Sequence, residues 1–293
     1  MNQRFQGVIP ALITPFTTDN RIDVDGLRRN IEFVEKGGVS AIVPCGTTGE
    51  SATMTAEEHM KVVDAAIETA KVPVIAGTGS NSTEEAVLFT KHAKDAGAAA
   101  ALIITPYYNK PTQAGLKAHF EKIANSVDIP IILYNVPSRT SVDMAVSTIA
   151  ELAKHENIIG IKEATGDMGK ASEILHKTKD EDFVLLSGDD IATLPLMSIG
   201  ATGVISVAAN IVPQKMCQMV SAFESGKMKE AAKIHDELTP LMKVLFIETN
   251  PIPIKTAMRL SGHAAGPLRL PLVDMAPANL EMLKAELKKM GVI

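Results

Sequence analysis

The residue best suited to covalent chemistry is Lys162, at the end of the stretch Asn157-Ile-Ile-Gly-Ile-Lys-Glu-Ala-Thr165. Three isoleucines around one glycine read as a short strand buried on both faces, with the lysine where the strand runs out. Burying an ammonium without a partner is costly, so the group either meets a carboxylate or gives up its proton. A deprotonated amine at the mouth of a pocket is a nucleophile that condenses with carbonyls. On this segment alone a second reading stands: Lys162 has reached solvent at a strand end, paired with Glu163.

Other groups fall at comparable places. Cys45-Gly-Thr-Thr-Gly-Glu-Ser51 sets two hydroxyls between two glycines. That is either a tight turn whose exposed N–H groups hold a carboxylate or phosphate, or an ordinary turn capping the next helix through Glu50 and Ser51. Gly77-Thr-Gly-Ser-Asn81 is a second Gly-rich turn, without the Gly-Lys-[Ser/Thr] ending of a phosphate loop. Two of the three tyrosines lie in Thr105-Pro-Tyr-Tyr-Asn-Lys-Pro111 and the third in Leu133-Tyr-Asn-Val-Pro-Ser-Arg-Thr140. Adjacent phenols point to opposite sides, so one of Tyr107 and Tyr108 faces the mouth of the fold and the other packs outward. A buried tyrosine bonded to a carbonyl is the structural alternative for each. Arg139 offers a planar, always-charged fork suited to a carboxylate, or to a surface ion pair. Asp189 and Asp190 suggest a metal site, but no histidine or third carboxylate shares their strand end, so one of them is read as a helix cap. Six of the seven histidines fall in helical patterns with no His-x-x-x-His pair, so the chain is not read as a metalloenzyme.

These positions are meaningful only if one scaffold brings them together. Short apolar runs recur near Gly7–Thr14, Ser40–Pro44, Pro73–Ala76, Ala100–Thr105, Pro130–Asn135, Ile158–Lys162, Phe183–Ser187 and Gly203–Ser206. Between them lie segments of helical period: Val24–Lys36, Ala56–Ala70, Thr83–Ala96, Gln113–Asn125, Ala145–His155, Met168–Lys177, Ile191–Ile199 and Pro213–Ser225. Thr55 ahead of Glu58 and Ser82 ahead of Glu85 mark helix starts, the latter as a capping box; Gly37-Gly38, Gly97 and Gly200 mark stops. Strict alternation of β and α units predicts a parallel sheet, and eight units close a barrel. An open doubly wound sheet competes, but no Gly-x-Gly-x-x-Gly turn follows the first strand. The expectation is an α/β fold, a (β/α)8 TIM barrel over residues 1–225, with a C-terminal three-helix extension over 226–293 packed on the barrel or at a subunit interface. In such barrels catalytic groups sit at the C-terminal ends of strands, where the residues above are found.

Bulk composition agrees. The chain has 293 residues, 46% hydrophobic and 22% charged, enough for a core without disulfides or metal. A net charge of −5 with scattered basic residues leaves no footprint for nucleic acid. Met1–Gln6 lacks the apolar run of a signal peptide, no segment approaches a membrane span, and Cys45 and Cys217 form no disulfide or zinc pattern. A cytoplasmic protein is expected. With 14 methionines and no tryptophan, methionine is expected to fill core gaps.

Five segments in order, Gly46-Thr-Thr-Gly-Glu50, Thr105-Pro-Tyr-Tyr-Asn109, Tyr134-Asn-Val-Pro-Ser-Arg-Thr140, Ile161-Lys-Glu-Ala164 and Gly203-Val-Ile-Ser206, resemble the dihydrodipicolinate synthase family. This is the group of pyruvate-dependent class I aldolases that also contains N-acetylneuraminate lyase. Arg139 within its motif is similar to the synthases; the lyases and keto-deoxy-sugar aldolases typically lack it. The resemblance implies that Lys162 forms a Schiff base with pyruvate, and that the derived enamine adds to L-aspartate 4-semialdehyde. The product implied is 4-hydroxy-tetrahydrodipicolinate, in the first committed step of the diaminopimelate and lysine pathway. It implies that Thr48 and the Thr47 backbone hold the pyruvate carboxylate, and that Tyr134 passes protons to and from the adduct. The resemblance further implies that Thr47 links Tyr134 to Tyr108, which would reach across from a neighbouring subunit. It implies that Arg139 grips the semialdehyde carboxylate and that Gly188 and Ile205 line the pocket. No metal or diffusible cofactor is implied, and a homotetramer built from two tight dimers is. Ser51, Ala52, His59, Asn81, Glu85 and Tyr107 match the family's allosteric pocket for lysine. Ala56 replaces the histidine or similar polar residue of lysine-sensitive members, which implies weak or absent inhibition. Two alternatives remain: a pyruvate aldolase acting on sugar-acid aldehydes, and a non-catalytic small-molecule-binding barrel. Intact Lys162, Tyr134 and Thr47 argue against the second.

Overall fold

The computed structural model describes residues 5–293; Met1–Arg4, part of the N-terminal stretch read above, lie outside the described residues. Seven strands form among the described residues: β1 (Gly7–Pro10), β2 (Ile75–Gly77), β3 (Ala100–Ile104), β4 (Ile131–Asn135), β5 (Ile158–Glu163), β6 (Val184–Ser187) and β7 (Gly203–Ser206). The described residues fall into two compact units, one of residues 5–6 with Val74–Ile205 and the other of Gly7–Pro73 with Ser206–Ile293.

The first unit is a parallel sheet in which each strand from β2 to β7 pairs with the next. Helices Thr83–Ala96, Gln113–Ser126, Val146–Leu152, Met168–Lys177 and Thr193–Ser198 connect the strands. Such crossovers are what parallel pairing requires, because the chain must return to the same sheet end each time. Both strand faces are covered, so β4 and β5 are buried along their whole length. Phe120, Leu116 and Ile123 of one helix pack with Ile103, Leu133, Ile161 and Leu185 in a single core cluster. Fully burying a side chain of this size stabilises by about 1.5–3 kcal/mol.

The second unit carries β1 and helices Val24–Lys36, Ala56–Thr69, Pro213–Glu224, Met228–Val244, Ile252–Leu260 and Pro277–Lys289. Met216, Met219, Met242 and Met258 are fully buried there, as expected of a chain that packs with methionine in place of aromatics.

Helix starts follow the side chains named from sequence. Thr55 accepts from the Glu58 N–H while the Glu58 carboxylate accepts from the Thr55 N–H, a complete capping box. At Ser82 only half of the box forms. The serine accepts from the Glu85 N–H at 3.4 Å, but the Glu85 carboxylate accepts from the Ser80 hydroxyl at 2.5 Å instead.

Three further expectations are corrected. Ser40–Pro44 is not a ladder strand: it touches its neighbours through an isolated parallel bridge, Ala11 to Val43. Ser40 and Val43 donate to the Val8 and Pro10 carbonyls, and Ile42 donates to Pro73. Pro10, Pro44 and Pro73 have no N–H to return, so a continuous ladder cannot form. Asp189 does not cap helix Thr193–Ser198; its carboxylate accepts from the Ile191 N–H two residues on, closing a turn ahead of the helix. Neither Tyr107 nor Tyr108 is packed away, the first being 37% and the second 89% exposed.

Candidate active site

Lys162 sits one residue before the end of β5 and is 7% exposed, so it does not reach solvent. Register places it beside Tyr134 of β4 and Leu186 of β6. Its Nζ lies 4.2 Å from the centroid of the Tyr134 ring, within reach of the negative ring face. Tyr134 is itself buried.

The open question of a Glu163 partner is settled by strand geometry. Neighbouring residues of a strand point to opposite faces, so Glu163 is turned away from Lys162. Its carboxylate accepts from Asn135 Nδ2 at 3.0 Å and from the Thr165 N–H at 2.8 Å, and lies 3.9 Å from Lys170 Nζ. Lys170 also donates to Asp143, which accepts from Asn135 Nδ2 at 2.9 Å, while Asn135 Oδ1 accepts from the Met144 N–H. Burial would raise the Asp143 carboxyl, but the Lys170 ammonium and the Asn135 amide hold it below the ordinary range. Behind the lysine, therefore, stands a satisfied polar network that fixes the end of β5.

Gly188, just past β6, makes room for the lysine. A Cβ at this position would stand 2.6 Å from Ala164 Cβ and 3.1 Å from Lys162 Cε. Its N–H donates to the Glu163 carbonyl at 2.7 Å, so the backbone approach is fixed. Ile205, in β7, is 1% exposed. Arg139 is exposed, in the single turn Pro137–Thr140, which closes on Ser141 in the left-handed region. The buried Thr140 hydroxyl donates to the Val142 carbonyl at 3.0 Å and accepts from Thr105 at 3.2 Å, which ties this turn to the end of β3. Tyr108 holds a positive φ of 69°, a conformation rarely adopted by a residue with a bulky side chain. The Gly77–Asn81 turn is a packing feature: a Cβ at Gly79 would stand 2.4 Å from the Ile104 nitrogen. Its hydroxyls are used internally, Thr78 with Thr90 at 2.8 Å and Ser80 with Glu85.

In the second unit, Thr47–Gly49 forms a 3-10 turn, with Thr48 buried and Thr47 half-buried. Asn250 Nδ2 donates to the Thr48 hydroxyl at 2.9 Å. The turn ends on Glu50 at φ 55° and ψ 35°, the left-handed region, which costs a residue bearing a Cβ roughly 1–2 kcal/mol. Glu50 does not cap the next helix, since Thr55 does. Its Oε1 accepts from Lys255 Nζ at 2.5 Å and its Oε2 from the Arg269 N–H at 3.1 Å. Lys255 is 2% exposed and also donates to the Pro267 carbonyl at 2.8 Å. This buried pair was missed from sequence. The available signal was a lone lysine within Pro251-Ile-Pro-Ile-Lys-Thr-Ala-Met258, an otherwise apolar helix start.

Of the six residues matched to an allosteric pocket, Asn81, Glu85 and Tyr107 belong to the first unit and Ser51, Ala52 and His59 to the second. The Asn81 carbonyl accepts from Asn109 Nδ2 at 2.8 Å, and the Glu85 carboxylate holds Ser80. Ser51 and Ala52 lie in the 3-10 turn Ser51–Thr53, and His59 is buried in helix Ala56–Thr69. No helix is long and apolar enough to cross a membrane among the described residues.

Comparison with known proteins agrees with the motifs. The sequence profile of the dihydrodipicolinate synthetase family matches residues 4–290. The chain is 65% identical to the 4-hydroxy-tetrahydrodipicolinate synthase of Methanosarcina acetivorans over 289 residues, 99% of each. It superposes on the crystal structure of dihydrodipicolinate synthase from Aquifex aeolicus with a TM-score of 0.96 at 50% identity, covering 98% of this chain and 99% of that one. The Acinetobacter baumannii dihydrodipicolinate synthase, solved as a chloride-inhibited form complexed with pyruvate, gives 0.95 at 43% identity, with 98% and 99% covered. The fold class is accordingly the α/β TIM barrel with a C-terminal helical extension that the β/α alternation predicts. A match of this length and identity makes the chain a member of the dihydrodipicolinate synthetase family.

Proposed function

We propose that this chain is a Schiff-base lyase condensing pyruvate with L-aspartate 4-semialdehyde to give 4-hydroxy-tetrahydrodipicolinate. The observation that carries the reading is Lys162, buried at the C-terminal end of β5 with its Nζ against the Tyr134 ring. The Nζ lone pair attacks the keto carbon of pyruvate, and loss of water leaves the imine. A methyl proton then leaves and the electron pair forms the enamine. The enamine carbon attacks the aldehyde carbon of the second substrate, and the aldehyde oxygen takes up a proton. The substrate's own amine then displaces Nζ from the imine carbon, which closes the ring and frees the lysine.

The remaining residues divide the supporting work. Thr48 and the Thr47 backbone receive the keto-acid carboxylate, and Tyr134 carries protons to and from the adduct, a step worth about 10²–10⁴-fold for a well-placed acid–base group. Thr47 links Tyr134 to the phenol of Tyr108. The 89% exposure of Tyr108 supports its serving a neighbouring copy, and hence a homotetramer of two tight dimers. Arg139, exposed on its short turn, takes the semialdehyde carboxylate, with Gly188 and Ile205 as walls. The imine itself is the electron sink, so the reading needs no metal or diffusible cofactor.

Borohydride reduction in the presence of pyruvate tests the reading. The expected result is one stable mass adduct on the Lys162 peptide, absent in Lys162→Ala, with aspartate semialdehyde turned over in preference to sugar-acid aldehydes. A Lys162→Ala protein that still traps pyruvate would overturn it.

A further inference from the structure

Lys255, 2% exposed, is the more deeply buried of the two buried lysines among the described residues, and the steps above do not use it. It projects from helix Ile252–Leu260 and donates at 2.5 Å to Glu50, the residue that ends the Thr47–Gly49 turn. In the turn that leads into the same helix, Asn250 Nδ2 donates to the Thr48 hydroxyl at 2.9 Å. The helix and the turn leading into it therefore grip the Thr47–Gly49 turn at two points. Glu50 is held in turn by the Arg269 N–H, and the Arg269 guanidinium forms paired bonds with Glu58 at 2.6 and 2.7 Å and donates to the Thr53 carbonyl. Phe16 is stacked against both cations, its ring centre 4.2 Å from Lys255 Nζ and 4.1 Å from the Arg269 guanidinium carbon.

We propose that Lys255, acting through Glu50, is a positioning residue that fixes the Thr47–Thr48 turn in the shape that receives the keto-acid carboxylate. The inference rests on the reading above that this turn is the carboxylate site. The physical reason is that Glu50 occupies a backbone region its Cβ disfavours, and such a residue stays there only when its surroundings over-determine it. Two anchored carboxylate oxygens do so, and the ammonium supplies the stronger of the two contacts. Without it the turn relaxes and its N–H groups no longer converge on an anion. Lys162 is untouched, so the loss falls on keto-acid binding and not on imine chemistry.

The ion pair also gives the turn a response to alkali. Burial drives the Lys255 ammonium down to about 8, opposed by the Glu50 carboxylate and reinforced by the Arg269 and Arg259 charges. Glu58, the other charge facing this cluster, is committed to Arg269.

The test uses full-length Glu50→Gln and Lys255→Met, singly and combined, with folding checked by circular dichroism. Lys162 is trapped with borohydride across a pyruvate titration. Each single variant is expected to raise half-saturating pyruvate about tenfold, a coupling of about 1.4 kcal/mol, while the plateau trapping rate stays within about twofold. The double variant is expected to be no weaker than the weaker single, because the two residues act as one contact. In the wild type, half-saturating pyruvate should climb above pH 8, and Lys255→Met should lack that limb. If Lys255→Met does not fold, the near-isosteric Glu50→Gln decides alone. A folded Glu50→Gln protein with wild-type half-saturation, or one that loses plateau rate alone, overturns the proposal. A wild type that pyruvate never traps overturns the proposed function itself, a different result from trapping that the variants leave unchanged.

Discussion

Replacing Glu163 by glutamine separates two roles that an acidic neighbour of Lys162 could have. Glu163 is 1% exposed and accepts from Asn135 Nδ2 and the Thr165 N–H, with Lys170 Nζ 3.9 Å away. Glutamine keeps the shape and one acceptor oxygen. Its NH2 must then face either the Asn135 amide and the Lys170 ammonium, or the Thr165 N–H, and each choice sets donor against donor. One charge-assisted bond is lost and one buried donor is left unmatched, which together cost about 2–4 kcal/mol. Asp143 keeps Lys170 paired, so the larger penalty of an abandoned buried charge does not apply. Urea unfolding should show a lower midpoint at unchanged slope. Borohydride trapping of pyruvate should reach the wild-type plateau with an unmoved pH midpoint, since Glu163 faces away from Lys162. A carboxylate in direct contact with the reacting amine would move that midpoint by about one pH unit or more when removed. Such a displacement, or wild-type stability in the variant, would refute the division of labour drawn at the end of β5.

Two further outcomes follow from packing and charge. Gly188→Ala should leave a folded protein whose trapping rate falls by more than about tenfold, because the new methyl would press within 3.1 Å of Lys162 Cε and 2.6 Å of Ala164 Cβ; wild-type single-turnover rates would show that the lysine does not need that space. His119 is 5% exposed, with its Nδ1 bonded to the Thr83 hydroxyl at 2.9 Å, and burial drives its pKa from 6.5 to about 4. The unfolded chain binds this proton first on acidification, so the associated stability is present above pH 6.5 and is lost as pH falls towards 4, about 3 kcal/mol in all. Urea midpoints compared from pH 7 to pH 4 should therefore fall less steeply in His119→Gln, and parallel curves would refute the assignment.

What the sequence made legible was local or periodic. The isoleucines around Gly160 announced β5, and the Thr55–Glu58 spacing announced a helix start that the structure builds in full. Ser82 and Glu85 have the same spacing, yet the nearby Ser80 hydroxyl takes the glutamate, a competition that spacing does not reveal. Ser40–Pro44 is apolar enough for a strand, and only knowing which prolines lie beside it explains why no ladder forms. The same limit applies to the candidate site. Strand alternation turns Glu163 away from Lys162, but its actual partners, Asn135 and Lys170, come from other elements. Lys255 meets Glu50 across 205 positions of sequence, and nothing in either segment names the other.

The placement of the phenols has an optical consequence. The chain has no tryptophan, so its near-ultraviolet absorbance comes mainly from three tyrosines. Tyr108 and Tyr107 stand at least partly in water, whereas the Tyr134 ring lies 4.2 Å from the Lys162 nitrogen that an imine would engage. Conversion of that amine to a covalent adduct alters the field on one enclosed chromophore and leaves the other two as an internal reference. Loading of the lysine could thus be followed by the protein's own absorbance, with no label attached.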